Sequence, residues 1–367
     1  MIRVGLTERH GMADEQASSP PDGVEFSFPK AVPKKFPIVQ STIKNFLMRF
    51  DSNDHDLIEA ILSPIQTRNR WIYSADCFQA TLNFNILGTP LPKPIRLAYM
   101  KHLFAQENFK KLIFWSNAAK KSMTDYGHVR EKWLLEKTSV VYPAIRKIPD
   151  ELIYSGNSNQ LNFLFSGDFF RKGGANVIDS FEKAHKQYPE IRIRICCDEK
   201  TDFNTSNQKL KREYLKKIHN CPAITLGRVS RSEMLNEVLP STDVYLLPTY
   251  TEAFGFAILE AMAFGITVIA TNVFAIPEIV EENKTGFLID ISQYNTDKIF
   301  RAYIVNEIPA NFHEDVNDQL YKYMIRSIES PLLRKQMGQA GLEVARSKFS
   351  FKNRNSKILK IYQDAIA

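Results

Sequence analysis

From about residue 160 to 345 the chain alternates short apolar runs with amphipathic stretches. Leu161–Phe165 reads as a buried strand that ends at Ser166-Gly167. Gly174–Tyr188 then places Val177, Ile178, Phe181 and Ala184 on one helical face. Ile191–Cys196 alternates apolar and basic residues and predicts the next strand. Ala223–Leu226, Val244–Leu247, Val268–Ala270 and Phe287–Ile289 are further strand candidates, with helical patterns between most of them. Strand–helix repetition of this kind builds a mostly parallel sheet covered by helices, because parallel neighbours need crossover connections. The pattern therefore predicts a Rossmann-like α/β domain.

The first 150 residues carry a weaker pattern. Leu57–Leu62, Trp71–Tyr73 and Lys111–Trp115 read as strands, and Val140-Val141-Tyr142 as a strand closed by Pro143. Ser116 is placed to cap a helix over Asn117–Tyr126. Gly11–Asp22 and the proline-rich Gly88–Pro94 read as loops, and residues 147–160, with Pro, Gly, Ser and Asn, as an interdomain linker. Ile358, Leu359, Ile361 and Tyr362 give the tail, Phe349–Ala367, an approximately helical spacing. The chain has 367 residues, enough for two domains with their own cores at roughly 100–200 residues each.

Composition adds exclusions. No apolar run reaches the ~18 residues that a membrane span requires, and Met1–Gln16 lacks the pattern of a secretory signal. Cys77, Cys196, Cys197 and Cys221 have no zinc-type spacing and read as buried thiols in a reducing compartment. No His-Glu-x-x-His, Gly-x-Gly-x-x-Gly, Gly-x4-Gly-Lys-Ser/Thr or Gly-x-Ser-x-Gly is present, which argues against a metalloprotease, a dehydrogenase, a P-loop enzyme and a serine hydrolase. Asp54-His55-Asp56 has the form of an Asp-x-Asp metal signature. It precedes a predicted strand rather than following one, so a solvated turn is the expectation. The net charge is +7, and residues 1–150 hold most of it, with 21 Lys/Arg against 15 Asp/Glu.

The segment with the clearest chemistry runs from Pro248 to Gly265. An apolar strand ends at Pro248, a turn carries Glu252, and a helix begins near Gly255 with Glu260 in its first turns. Ligands of parallel sheets bind beyond the carboxyl ends of strands, where this turn lies. The backbone of Gly255, Phe256 and Ala257 would aim helix N-terminal N–H groups at an anion. A second turn, Gly167-Asp-Phe-Phe-Arg171-Lys172-Gly173-Gly174, sets two cations beside another helix start. A charge-assisted bond to phosphate is worth about 1.5–3 kcal/mol, against about 0.3–1 kcal/mol for a helix dipole. Arg171 and Lys172 would thus dominate if a diphosphate binds there; a solvated basic turn is the alternative.

These two segments together resemble the donor domain of the family-4 retaining glycosyltransferases, of GT-B architecture. The hallmark of that family, a Glu, seven residues and a second Glu, reads here Glu252-Ala-Phe-Gly-Phe-Ala-Ile-Leu-Glu260. The resemblance continues through Gly265, Pro277-Glu278 and Lys284-Thr-Gly286, and includes Arg171–Gly174, so it covers about 160–290. It implies that Glu260 binds the ribose of a nucleotide sugar and Glu252 the sugar hydroxyls. Lys172, helped by Arg171, would hold the diphosphate, and backbone around Phe254–Phe256 would touch the sugar and distal phosphate. Gly167 would close the donor loop. Where the family often has Arg after this glycine, the chain has Asp168, for which no phosphate role is expected; the Gly-Gly loop often found near the start of the family is also missing.

The resemblance implies two Rossmann-like domains facing a cleft: residues 1–150 on the acceptor side, joined by a returning helix at 350–367, and 151–349 for the donor. The expected reaction moves a hexose from a nucleoside diphosphate sugar to a glycan or lipid-linked acceptor, with retention, without a metal or other cofactor. His102 is the acceptor-side candidate. Another GT-B enzyme, such as a disaccharide synthase or phosphorylase, and a non-catalytic glycan- or membrane-binding relative are the alternatives. A cytoplasmic placement is expected. Between Phe26 and Phe50 lie Lys30, Lys34, Lys35, Lys44 and Arg49 with no acid, interleaved with Ile43, Phe46 and Leu47. That run reads as a solvated rim with a core-facing helix or as a peripheral contact with anionic membrane. No recognisable pattern for nucleic acid is present.

Overall fold

The structure is a computed structural model, and it describes residues 1–8, 11–30, 32–33, 48–82, 85–86, 89–154, 160–294, 301–303 and 307–367. The chain divides into two compact units, Met1–Arg146 with Phe349–Ala367, and Lys147–Lys348.

Unit one is built on six parallel strands: β1 (Ile2–Leu6), β2 (Val24–Ser27), β3 (Leu57–Ile61), β4 (Trp71–Ala75), β5 (Phe109–Phe114) and β6 (Thr138–Val140). They lie in the order β6-β5-β4-β3-β1-β2. Every residue of β3 and β4 is buried, which is why these strands read as continuous apolar runs. The helices described between them are α1 (Gly11–Ser18), α2 (Lys93–Ala105), α3 (Asn117–Asp125) and α4 (Lys132–Glu136). Ser116 caps α3 as its sequence suggested, accepting the Ala119 N–H at 2.9 Å.

Two loop expectations are corrected. Gly11–Ser18 is a helix, and its polar composition hid it because it exposes most of its length. Thr89–Pro90 is a short antiparallel strand and α2 starts at Lys93, so Pro92 and Pro94 mark a helix start, where missing N–H groups cost nothing. Residue 88 of that stretch, residues 155–159 of the linker and most of 26–50, with Ile43, Phe46 and Leu47, lie outside the described residues.

Unit two holds β7 (Asn162–Ser166), β8 (Arg192–Cys196), β9 (Ile224–Leu226), β10 (Val244–Leu247), β11 (Thr267–Thr271) and β12 (Gly286–Ile289). All neighbours are parallel, in the order β9-β8-β7-β10-β11-β12. The strand order reverses between β7 and β10, where a crevice opens at the carboxyl edge. Its helices are α5 (Gly174–Gln187), α6 (Gln208–Asn220), the single turn α7 (Arg231–Glu233), α8 (Phe256–Ala263), α9 (Phe312–Glu329) and α10 (Pro331–Ser347). The last helix, α11 (Phe351–Ile366), returns to unit one. There Tyr362, fully buried, donates its hydroxyl to the buried carboxylate of Glu59, whose other oxygen accepts from Ser74 at 2.6 Å.

Two six-stranded parallel sheets with covering helices make this an α/β fold of GT-B type, as the sequence resemblance implied. All four cysteines are free thiols, three of them buried. Burial pushes the Cys196 thiol up to about 11, which keeps it an inert hydrophobe.

Candidate active site

The turn after β7 and the turn after β10 are neighbours because their strands pair directly, Phe163 beside Val244. The first turn is rigid. Asp168 accepts the Arg171 N–H at 3.1 Å and the Asn204 side-chain amide at 2.9 Å, so its carboxylate is spent on folding the turn. Phe169 stacks on Phe203, ring centroids 4.2 Å apart, and anchors the turn below. Gly173 has φ +80°, and a Cβ there would stand 2.1 Å from the Pro248 carbonyl oxygen. Only glycine therefore lets this turn close on the β10 turn. Gly167, at φ +109°, opens the turn, and its carbonyl accepts the Cys197 thiol at 2.9 Å.

Across that contact Lys172 Nζ pairs with Glu252. The two side chains are 13% and 14% exposed, so the pair is poorly screened by solvent. Burial pulls the Lys172 ammonium below its ordinary value; Glu252 opposes this, while the charges of Arg171 and Arg301 add to it. The second oxygen of Glu252 accepts the Ala253 N–H at 3.0 Å. Arg171 itself is exposed, and its carbonyl accepts the Tyr250 N–H at 3.2 Å, a further tie between the turns.

Helix α8 starts at Phe256 with Gly255 as N-cap, at φ +106°, and no side chain caps that end. Its first-turn N–H groups point past the carboxyl edge of the sheet, beside Glu252. Phe254 is buried and its ring lies 5.1 Å from that of Phe256, while Phe256 and Ala257 are half-buried. Glu260, in the second turn of α8, is held by both oxygens: Arg231 donates Nη1 to Oε2 at 2.7 Å and Nη2 to Oε1. Burial pushes the Tyr245 hydroxyl up, and the charges of both Glu252 and Glu260 add to that shift, so the two carboxylates flank one point on β10.

Among the proposed donor residues, unit two thus brings Gly167, Arg171, Lys172, Glu252, Phe254, Gly255, Phe256, Ala257 and Glu260 to one edge of one sheet. His102 belongs to unit one, exposed in the last turn of α2. The Asp54-His55-Asp56 turn is used by the fold: Asp56 accepts the Arg3 N–H at 2.8 Å, and His55 Nδ1 meets Ser52 Oγ at 2.6 Å. Among the described residues no three His, Cys, Asp or Glu gather to hold a metal ion.

Three contributors escape sequence reasoning. Arg231 had one signal: it opens a helix behind a capping Ser230, where a cation opposes the dipole and needs another reason to be there. Arg301 approaches Lys172 through an isolated bridge between Thr251 and Ala302, at consecutive left-handed residues, φ +57° and +70°. Tyr250 is fixed beneath Thr251 by Asn176, its hydroxyl donating at 2.5 Å. Neither of these last two has a readable pattern.

Residues 153–302 match the family model described as Glycosyl transferases group 1. Over 239 residues the chain is 27% identical to the alpha-maltose-1-phosphate synthase of Mycolicibacterium smegmatis, covering 63% of this chain and 55% of that protein. It is 26% identical over 160 residues to the phosphatidylinositol N-acetylglucosaminyltransferase gpi3 subunit of Schizosaccharomyces pombe, 42% of this chain and 34% of the relative. The chain spans about half the length, or less, of these curated relatives. In fold, Anabaena HepE in complex with UDP superposes with a TM-score of 0.66 at 16% identity, over 99% of this chain and all of that one.

Proposed function

We propose that the chain is a GT-B glycosyltransferase of group 1 that moves a hexose from a nucleoside diphosphate sugar to a glycan or lipid-linked acceptor, with retention and without a metal. The observation that carries this reading is the Lys172–Glu252 pair at the strand-order reversal of unit two, beside the uncapped start of α8. Family-4 membership and the roles of the two glutamates belong to the same reading. The group 1 match, which contains both turns and α8, supports it, as does the UDP in HepE, a protein of the same fold.

Lys172, with Arg171 and the N–H groups of α8, offsets charge on the departing diphosphate, the device that lowers the barrier most where a nucleoside diphosphate leaves. Glu252 accepts from sugar hydroxyls and fixes the reacting carbon against the phosphate. Glu260 accepts from the ribose. Unit one, residues 1–150 with the returning helix, supplies the acceptor side, with His102 as its candidate. A cytoplasmic placement and a peripheral contact through 26–50 are part of the proposal and rest on charge alone; among the described residues no helix is long and apolar enough to cross a membrane.

Calorimetry with UDP tests the donor site: Lys172→Ala and Glu260→Ala should each weaken binding at least about tenfold. Unchanged affinity in both variants overturns the assignment. A second reading, a disaccharide or sugar-phosphate synthase, is favoured by the name of the M. smegmatis relative. Product analysis with a UDP-sugar and phosphorylated or lipid-linked acceptors separates the two.

A further inference from the structure

We propose that Arg231 is a positioning residue that makes this site select ribose over deoxyribose. The inference rests on the donor-site reading of Glu260. A carboxylate has about four lone-pair directions, and a guanidinium fork occupies two of them, one on each oxygen. The Arg231 fork does this to Glu260, with Nη1–Oε2 at 2.7 Å and Nη2 on Oε1. One acceptor direction is left on each oxygen, side by side. That matches a vicinal diol, which presents two hydroxyl donors at similar spacing.

The fork has two further effects. It locks the terminal torsion of Glu260, which is otherwise soft. It also neutralises a carboxylate that would stand near a diphosphate, so an acceptor can be kept there without repelling the ligand. The arginine lies outside and the glutamate inside, 55% against 13% exposed, so Arg231 can be changed without opening the core. Its place is fixed by Ser230, whose Oγ accepts the Glu233 N–H at 3.1 Å. The segment Met234–Val238 that follows is a π-helical turn, a local irregularity that is frequent at functional sites.

Removing the 2′-hydroxyl leaves one aligned acceptor without its donor, which a built site penalises. The test is the ratio of Kd for 2′-deoxy-UDP to Kd for UDP, by calorimetry, in the wild type, Arg231→Gln, Arg231→Lys and Glu260→Gln. The wild-type ratio should be about tenfold or more. It should fall to near one in Glu260→Gln and at least about threefold in Arg231→Gln. Arg231→Lys, which cannot grip both oxygens, should lie between. A merely structural role for Arg231 would weaken both nucleotides alike and leave the ratio fixed. A wild-type ratio retained in Arg231→Gln while Glu260→Gln collapses it overturns this proposal and spares the donor site. A ratio that Glu260→Gln does not move overturns both.

Discussion

Lys172→Ala and Glu252→Gln should move UDP affinity in opposite directions, although the two side chains are partners. Lys172 gives the diphosphate a charge-assisted contact of about 1.5–3 kcal/mol, so its loss should weaken UDP about 10- to 150-fold. Glu252 competes for the same ammonium. The pair is only 13% and 14% exposed, so its attraction is little screened, and a phosphate must loosen it to bind. Glu252→Gln keeps the shape and the hydrogen-bonding capacity but removes the competing charge. UDP should then bind as tightly as in the wild type or up to about tenfold tighter, while turnover of a UDP-sugar falls because the sugar loses its carboxylate. Stability should report the same event. Leaving Lys172 buried without its counter-charge costs up to about 3–5 kcal/mol, and UDP should restore part of it, raising Tm more in Glu252→Gln than in the wild type. Calorimetry gives the affinities and thermal unfolding with and without UDP gives the rescue. If Glu252→Gln weakens UDP as much as Lys172→Ala does, the competition argument is wrong.

Three other outcomes are expected. Burial lowers the Lys172 pKa from its ordinary 10.5, so UDP affinity should decline with rising pH before an unperturbed lysine would titrate. Between the folded and unfolded values the unfolded chain holds more protons, so this group's contribution to stability rises with pH over the same interval; Lys172→Arg should keep UDP affinity flat across it. Gly173→Ala places a Cβ 2.1 Å from the Pro248 carbonyl oxygen at φ +80°. The two turns should separate, with UDP binding lost while circular dichroism stays α/β; an alanine variant that binds UDP normally would contradict that geometry. Tyr362→Phe leaves one oxygen of the buried Glu59 without its donor, a cost of about 1–3 kcal/mol. Limited proteolysis should then release α11 earlier than in the wild type, and an unaltered cleavage rate would show that the contact contributes little.

The strands of unit two were legible because they are buried on both faces, so each is an apolar run bounded by turn residues. Unit one was less legible. Gly11–Ser18 has too little apolar periodicity to announce a helix, and the short β1 and β2 went unread because Arg3, Gly5 and Glu25 interrupt their apolar positions. The donor-site residues were legible as a motif, since Glu252, Gly255 and Glu260 lie within nine positions. Their partners were not: Lys172 is 80 residues from Glu252, and Arg231 is 29 from Glu260.

The sequence by itself determined the parallel α/β class, the two turns at strand ends and the chemistry each turn can offer, because these follow from local periodicity and from residue type. Only the tertiary structure decided which cation meets which carboxylate. That depends on the strand order β9-β8-β7-β10-β11-β12, which sets β7 beside β10 and closes Gly173 onto Pro248. No local pattern encodes a neighbour across a sheet, since pairing of distant strands is a property of the packed whole.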